Sequence, residues 1–124
     1  MSLTQEEFRQ HSRNYTIIPV WRELVADLVT PVAAFARLVG DDPGFLLESV
    51  EHGERWSRWS FVGRNPLVTI SKKNDDLLIE GEIPVPIKTD NGILELIQSL
   101  QETLVTPEID ALPPMYSGLI GYLG

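Results

Sequence analysis

The sequence predicts an α+β fold, with an antiparallel sheet partly folded on itself and two main helices packed on it. Short runs rich in β-branched and aromatic residues follow one another from Phe45 to Ile87, separated by polar turns too brief for a parallel crossover. Two other stretches, around Thr30 to Gly40 and Ile93 to Leu104, carry the capping signals and the three-and-four apolar spacing of amphipathic helices. With no cysteine and therefore no disulfide, the chain must be held by packing, and 124 residues can bury roughly two-thirds of their unfolded surface.

Thr4 with Glu7 three residues on, before Phe8, forms a capping box and places a short peripheral helix over 4–12. Tyr15 to Trp21 reads as a strand, with Pro19 confining it to an edge or a bulge. Thr30 is a cap for the next helix, Pro31 suits its first turn, Ala33 to Val39 propagate it, and Gly40 can take the left-handed closing position. After the turn cluster Asp41 to Gly44, a strand over Phe45 to Val50 and a returning run from Trp56 to Val62 enclose the tip Glu51-His52-Gly53-Glu54. A second hairpin pairs Leu67 to Ser71 with Leu77 to Glu80, joined by Lys72 to Asp76. Ile83 to Ile87 makes a short strand interrupted by Pro84 and Pro86, and Asp90 or Asn91 caps the last helix. Thr106 to Pro114 is a connection, and Tyr116 to Leu123 is a glycine-dotted strand.

Composition removes whole function classes. Ten basic against eighteen acidic residues leave a net charge of -8, so the average field repels phosphate backbones and nucleic acid is not a partner. The interleaved bases and aromatics Arg55, Trp56, Arg58, Trp59 and Arg64 read as a strand with alternating faces. No apolar stretch approaches the about 20 residues that cross a bilayer, and MSLTQEEFRQ lacks the order of a signal peptide, which gives a cytoplasmic expectation with no membrane partner. His11 and His52 have no ligand neighbours at helical spacing, so no metal site is expected. Glu48 and Ser49 lack the base and orienting group of an activated serine, and Gly118, Gly121 and Gly124 lack the strand-to-helix setting of a phosphate loop. No catalytic residue is therefore expected.

The segment from Phe45 to Gly63 carries the most chemistry. Glu48 and Ser49 end an apolar strand, and Trp59 and Ser60 return beside them, so a carboxylate and hydroxyls border an apolar surface. Such an edge suits a small zwitterion with an apolar body. The wording Leu46-Leu47-Glu48-Ser49, then Glu54-Arg55-Trp56, then Arg58-Trp59-Ser60-Phe61-Val62-Gly63 closely resembles the amino-terminal region of the anthranilate synthase component I family. Ile18-Pro19-Val20 with Glu23, Thr30-Pro31-Val32 and Tyr116 to Tyr122 extend the resemblance in the same order over nearly the whole chain.

The resemblance implies that 1–124 is one amino-terminal regulatory domain, a fragment of a larger enzyme whose chorismate-binding catalytic domain is not included. Carried over residue by residue, Leu47, Glu48 and Ser49 should lie at the site where L-tryptophan binds as feedback inhibitor, with Trp59, through its backbone, and Ser60 close by. The implied partners are the catalytic domain of the same polypeptide and the glutamine amidotransferase component II. Mg2+ is implied for the full-length enzyme and no cofactor for this chain. A homodimer of the isolated chain is expected through an exposed edge at Tyr116 to Leu123. The equivalent domain of aminodeoxychorismate synthase component I, and a stand-alone binding or assembly module, are the alternatives.

Overall fold

Local signals at Thr4 act as the sequence dictates. In the computed structural model, which describes residues 2–48, 59–87 and 91–124, Thr4 takes extended φ -71° and ψ 162° and opens helix α1, Gln5–His11. Its hydroxyl accepts from the Glu7 amide at 3.2 Å, while its own amide donates to the Glu7 carboxylate at 2.7 Å. These reciprocal bonds satisfy two amide donors that a helix start and its cap leave unpaired. No residue of α1 is buried.

Helix α2, Pro31–Leu38, starts the same way: the Ala33 amide donates to the Thr30 hydroxyl at 3.1 Å, and proline fills the first turn where no donor is needed. It ends where the amides of Val39 and Gly40 both donate to the Phe35 carbonyl, and Gly40 turns the chain away at φ 58°. The chain then enters β1, Gly44–Glu48, which pairs antiparallel with β2, Ser60–Arg64. Gly44 faces Arg64, Phe45 faces Gly63, Leu46 faces Val62, Leu47 faces Phe61 and Glu48 faces Ser60. α2 packs on both strands.

Two glycines make that packing close. A Cβ on Gly44 would strike the Gly63 carbonyl and the Val39 side chain, and a Cβ on Gly63 would enter the Phe45 ring. Val39, 4% exposed, is buried in this unit. The Arg64 guanidinium donates to the Leu38 carbonyl at 3.1 Å, meeting an unpaired acceptor at the negative end of α2.

Strands β3, Val68–Lys73, and β4, Asp76–Gly81, form a second two-stranded sheet. The strands run further into the Lys72 to Asp76 link than expected, leaving a two-residue turn in which Asn74 adopts φ 58°, a conformation asparagine tolerates. The expected α+β class holds, and among the described residues its strands form two small two-stranded sheets.

Three expected strands are absent. Residues 15–21 form no strand: the amides of Thr16 and Ile17 both donate to the Val105 carbonyl, at 3.1 and 3.0 Å, where a ladder would use successive acceptors. The Thr16 hydroxyl donates to the Thr103 carbonyl and accepts from the Val105 amide, each at 2.8 Å. Residues 83–87 form no strand, since Pro84 and Pro86 remove two donors from five residues. Residues 116–123 form none either; Gly118 sits at φ 150°, outside the range a strand uses.

Helix α3, Ile93–Thr103, buries Leu96 and Leu100 completely, as its apolar spacing requires. Its cap is a correction: Gly92, at φ 94° and ψ 176°, occupies the capping position with no side-chain bond, so Asn91 does not cap the helix, and Asp90 lies outside the described residues.

The chain divides into two compact units, one of 1–24, 70–79 and 83–124, the other of 25–69 and 80–82. Among the described residues, Leu96, Leu100 and Pro107 are the largest fully buried side chains, all in the first unit, where the Tyr116 hydroxyl also donates to the Pro107 carbonyl at 2.6 Å. Among the described residues no helix is long and apolar enough to cross a membrane.

Candidate functional site

Strands β1 and β2 hold three of the five residues singled out by sequence, Leu47, Glu48 and Ser60. Because side chains alternate across a strand, the register divides them between two faces. Glu48 and Ser60 are directly opposed, on the face that also carries Leu46, Val62 and Arg64. Leu47 lies opposite Phe61 on the other face. Opposed Cβ atoms in such a pair are about 4.5–5.5 Å apart, so a carboxylate and a hydroxyl stand side by side at the hairpin's far end. Trp59 immediately precedes β2 and is 44% exposed, and Leu47 is 40% exposed, so apolar surface is available beside the polar pair.

Sequence reasoning treated Leu47 and Glu48 as one constellation, whereas the strand aims them in opposite directions. A small ligand meeting both must sit at the end of the strand, where the two faces converge, or take one of its contacts from backbone. Ser49, along with Arg58, lies outside the described residues. Two contacts that sequence reasoning did not assign to the site brace these strands: the Phe45 ring packs over Gly63 across the pair, and the Arg64 guanidinium ties β2 to the Leu38 carbonyl of α2. The only signal for the first was a glycine at an inward strand position, which marks close approach.

Among the described residues no group of three or more histidine, aspartate or glutamate side chains converges to hold a metal ion. One open depression, of about 460 Å3, is bordered by Glu108, Asp110, Leu112, Pro114 and Tyr116 in the proline-rich connection. It contains none of the hairpin residues. The chemistry available on the hairpin is recognition: a negative group and a hydroxyl that can accept and donate, next to exposed indole and aliphatic surface.

Curated relatives match the chain nearly end to end. Anthranilate synthase component 1 of Arthrobacter globiformis is 38% identical over 120 residues, covering 96% of this chain and 23% of that protein. By sequence, the chain is homologous to a stretch of anthranilate synthase component 1. The protein of the same name from Neisseria meningitidis serogroup B is 38% identical over 122 residues, 97% of this chain and 24% of the relative. That of Acetivibrio thermocellus is 31% identical over 121 residues, 98% of this chain and 24% of the relative. The chain therefore spans about a quarter of the length of the anthranilate synthase components it matches. No family model matches the chain, and no solved structure does.

Proposed function

We propose that this chain is the amino-terminal, tryptophan-sensing domain of an anthranilate synthase component I, forming one regulatory domain over 1–124 of a longer cytoplasmic enzyme. The observation that carries this reading is the match of at least 96% of the chain to about a quarter of each relative, the extent expected of one domain in a larger polypeptide. The whole enzyme would convert chorismate, with ammonia or glutamine-derived nitrogen, to anthranilate and pyruvate. Its partners would be the catalytic domain of the same polypeptide and the glutamine amidotransferase component II. Magnesium would belong to the catalytic part of that larger enzyme.

The hairpin end would sense L-tryptophan. The indole would lie against apolar surface at Leu47, and burying such a ring contributes roughly 2 to 3 kcal/mol. Glu48, Ser49 and Ser60 would meet the charged head group, with backbone at Trp59 completing it. This assignment is supported by the opposed carboxylate and hydroxyl of Glu48 and Ser60 at one strand end. The test is an inhibition curve on the enzyme carrying this chain, with and without Ser49→Phe. Losing a hydroxyl bond while filling the head-group space should raise the inhibition constant by about one to two orders of magnitude, with uninhibited turnover retained. An unchanged curve in an otherwise active variant would remove Ser49 from the site.

A further inference from the structure

The chain contains four asparagines, and Asn91 is the one followed by glycine. Asn91 and Gly92 are both exposed and stand at the threshold of α3, where the cap makes no side-chain bond. An asparagine that capped the helix would have its carboxamide committed to an amide of the first turn. Here, among the described residues, neither that carboxamide nor the Gly92 amide has a hydrogen-bond partner. Among the described residues nothing lies within 4 Å of the place where a Cβ on Gly92 would sit, and its φ of 94° belongs to a backbone that only glycine explores freely.

We infer that Asn91–Gly92 is a self-modification site, at which the chain deamidates through a cyclic imide and gains a negative charge at the start of α3. The Gly92 amide nitrogen attacks Asn91 Cγ. The N–Cγ bond forms, the bond from Cγ to the side-chain nitrogen breaks, and that nitrogen leaves as ammonia with the proton lost by the Gly92 amide. Water then adds to one of the two imide carbonyls. Opening the ring at Cγ gives aspartate; opening it at the main-chain carbonyl gives isoaspartate, with the backbone rerouted through the side chain. No electron transfer is involved, and water is the sole co-reactant.

The other asparagines serve as internal comparators. Asn65 precedes Pro66, which offers no amide proton, and it sits at φ 51°. Asn74 precedes Asp75 and is held in a hairpin turn, and Asn14 precedes Tyr15, whose amide is engaged with the His11 carbonyl at 3.0 Å. The product adds one unit of negative charge to the formal -8 of the chain, next to the positive end of a helix dipole.

The experiment ages the purified chain in mildly alkaline buffer and follows each asparagine peptide by mass spectrometry, with isoaspartyl methyltransferase labelling to separate the two products. Conversion is expected first at the peptide containing Asn91, with both aspartate and isoaspartate present, and complete loss of that conversion in Asn91→Gln. Fresh and aged Asn91→Gln should keep the same circular dichroism, so an unfolded variant cannot mimic protection. An Asn91 peptide that stays an amide while Asn14 or Asn74 converts would overturn the inference, as would equal rates at all three.

Discussion

Gly63 shows how one missing side chain sets the geometry of the candidate site. The Phe45 ring occupies the space where a Cβ would be, so Gly63→Val must displace the ring or part the strands. Overpacking of this kind costs about 1–3 kcal/mol, and the expected outcome is a lower urea midpoint with loss of protection at the Glu48 and Ser60 amides in hydrogen exchange. Leu100 is the corresponding test of the other unit. It is fully buried on α3, and Leu100→Ala should cost about 2–5 kcal/mol, read as a shift in the denaturation midpoint at unchanged slope. Among acids, Glu7 is held below its ordinary value of 4.5, first by the Thr4 amide and then by the Thr4 hydroxyl. A depressed carboxylate stabilises the fold above its unfolded value and loses that contribution as pH falls through its lower folded value. α1 should therefore fray from its amino end as the pH drops below 4.5, and amide shifts of residues 5–8 should report it. Glu7→Gln should abolish that transition.

At the scale of elements, what was legible in the sequence was local chemistry. The Thr4 capping box, the Thr30-Pro31 start and Gly40 end of α2, and the buried spacing of Leu96 and Leu100 each depend on residues within one or two turns. The pairing of Phe45–Glu48 with Ser60–Gly63 was legible for the same reason, because apolar runs bounded by turns specify pairing with the nearest run. The failures came where long-range partners decide. Residues 15–21 have strand composition, yet the amides of Thr16 and Ile17 share the Val105 carbonyl, nearly ninety positions away in sequence. Residues 116–123 are apolar, but Gly118 and Gly121 offer no side chain to pack, and Leu119, Ile120 and Tyr122 remain exposed. The candidate site was legible as a set of residues and not as a geometry, since the register that separates Leu47 from Glu48 is invisible without the pairing partner. Arg64→Ala tests the element-level account: the Leu38 carbonyl loses its donor, and α2 should loosen on β1 and β2. Hydrogen exchange at Val39 and Gly40 should then accelerate, while α3 is unaffected.

For the whole molecule, the chain exposes much apolar surface, including Leu28 fully, Val25 at 91% and Tyr122 at 96%. Exposed apolar area on this scale favours association, and the isolated chain is expected to self-associate in light scattering over a concentration series. Its basis is exposed side chains, because the strand edge expected at Tyr116 to Leu123 does not exist. The isolated chain should also be inert toward chorismate with ammonium and magnesium, with no anthranilate fluorescence developing. The central claim, that the hairpin end is a tryptophan sensor, is tested most directly by equilibrium binding of L-tryptophan to the enzyme carrying this chain, comparing it with Glu48→Gln. The account predicts a dissociation constant raised by roughly tenfold or more, from the loss of a charged partner, with uninhibited turnover preserved. An unchanged dissociation constant, or no tryptophan binding by the parent enzyme, would contradict it.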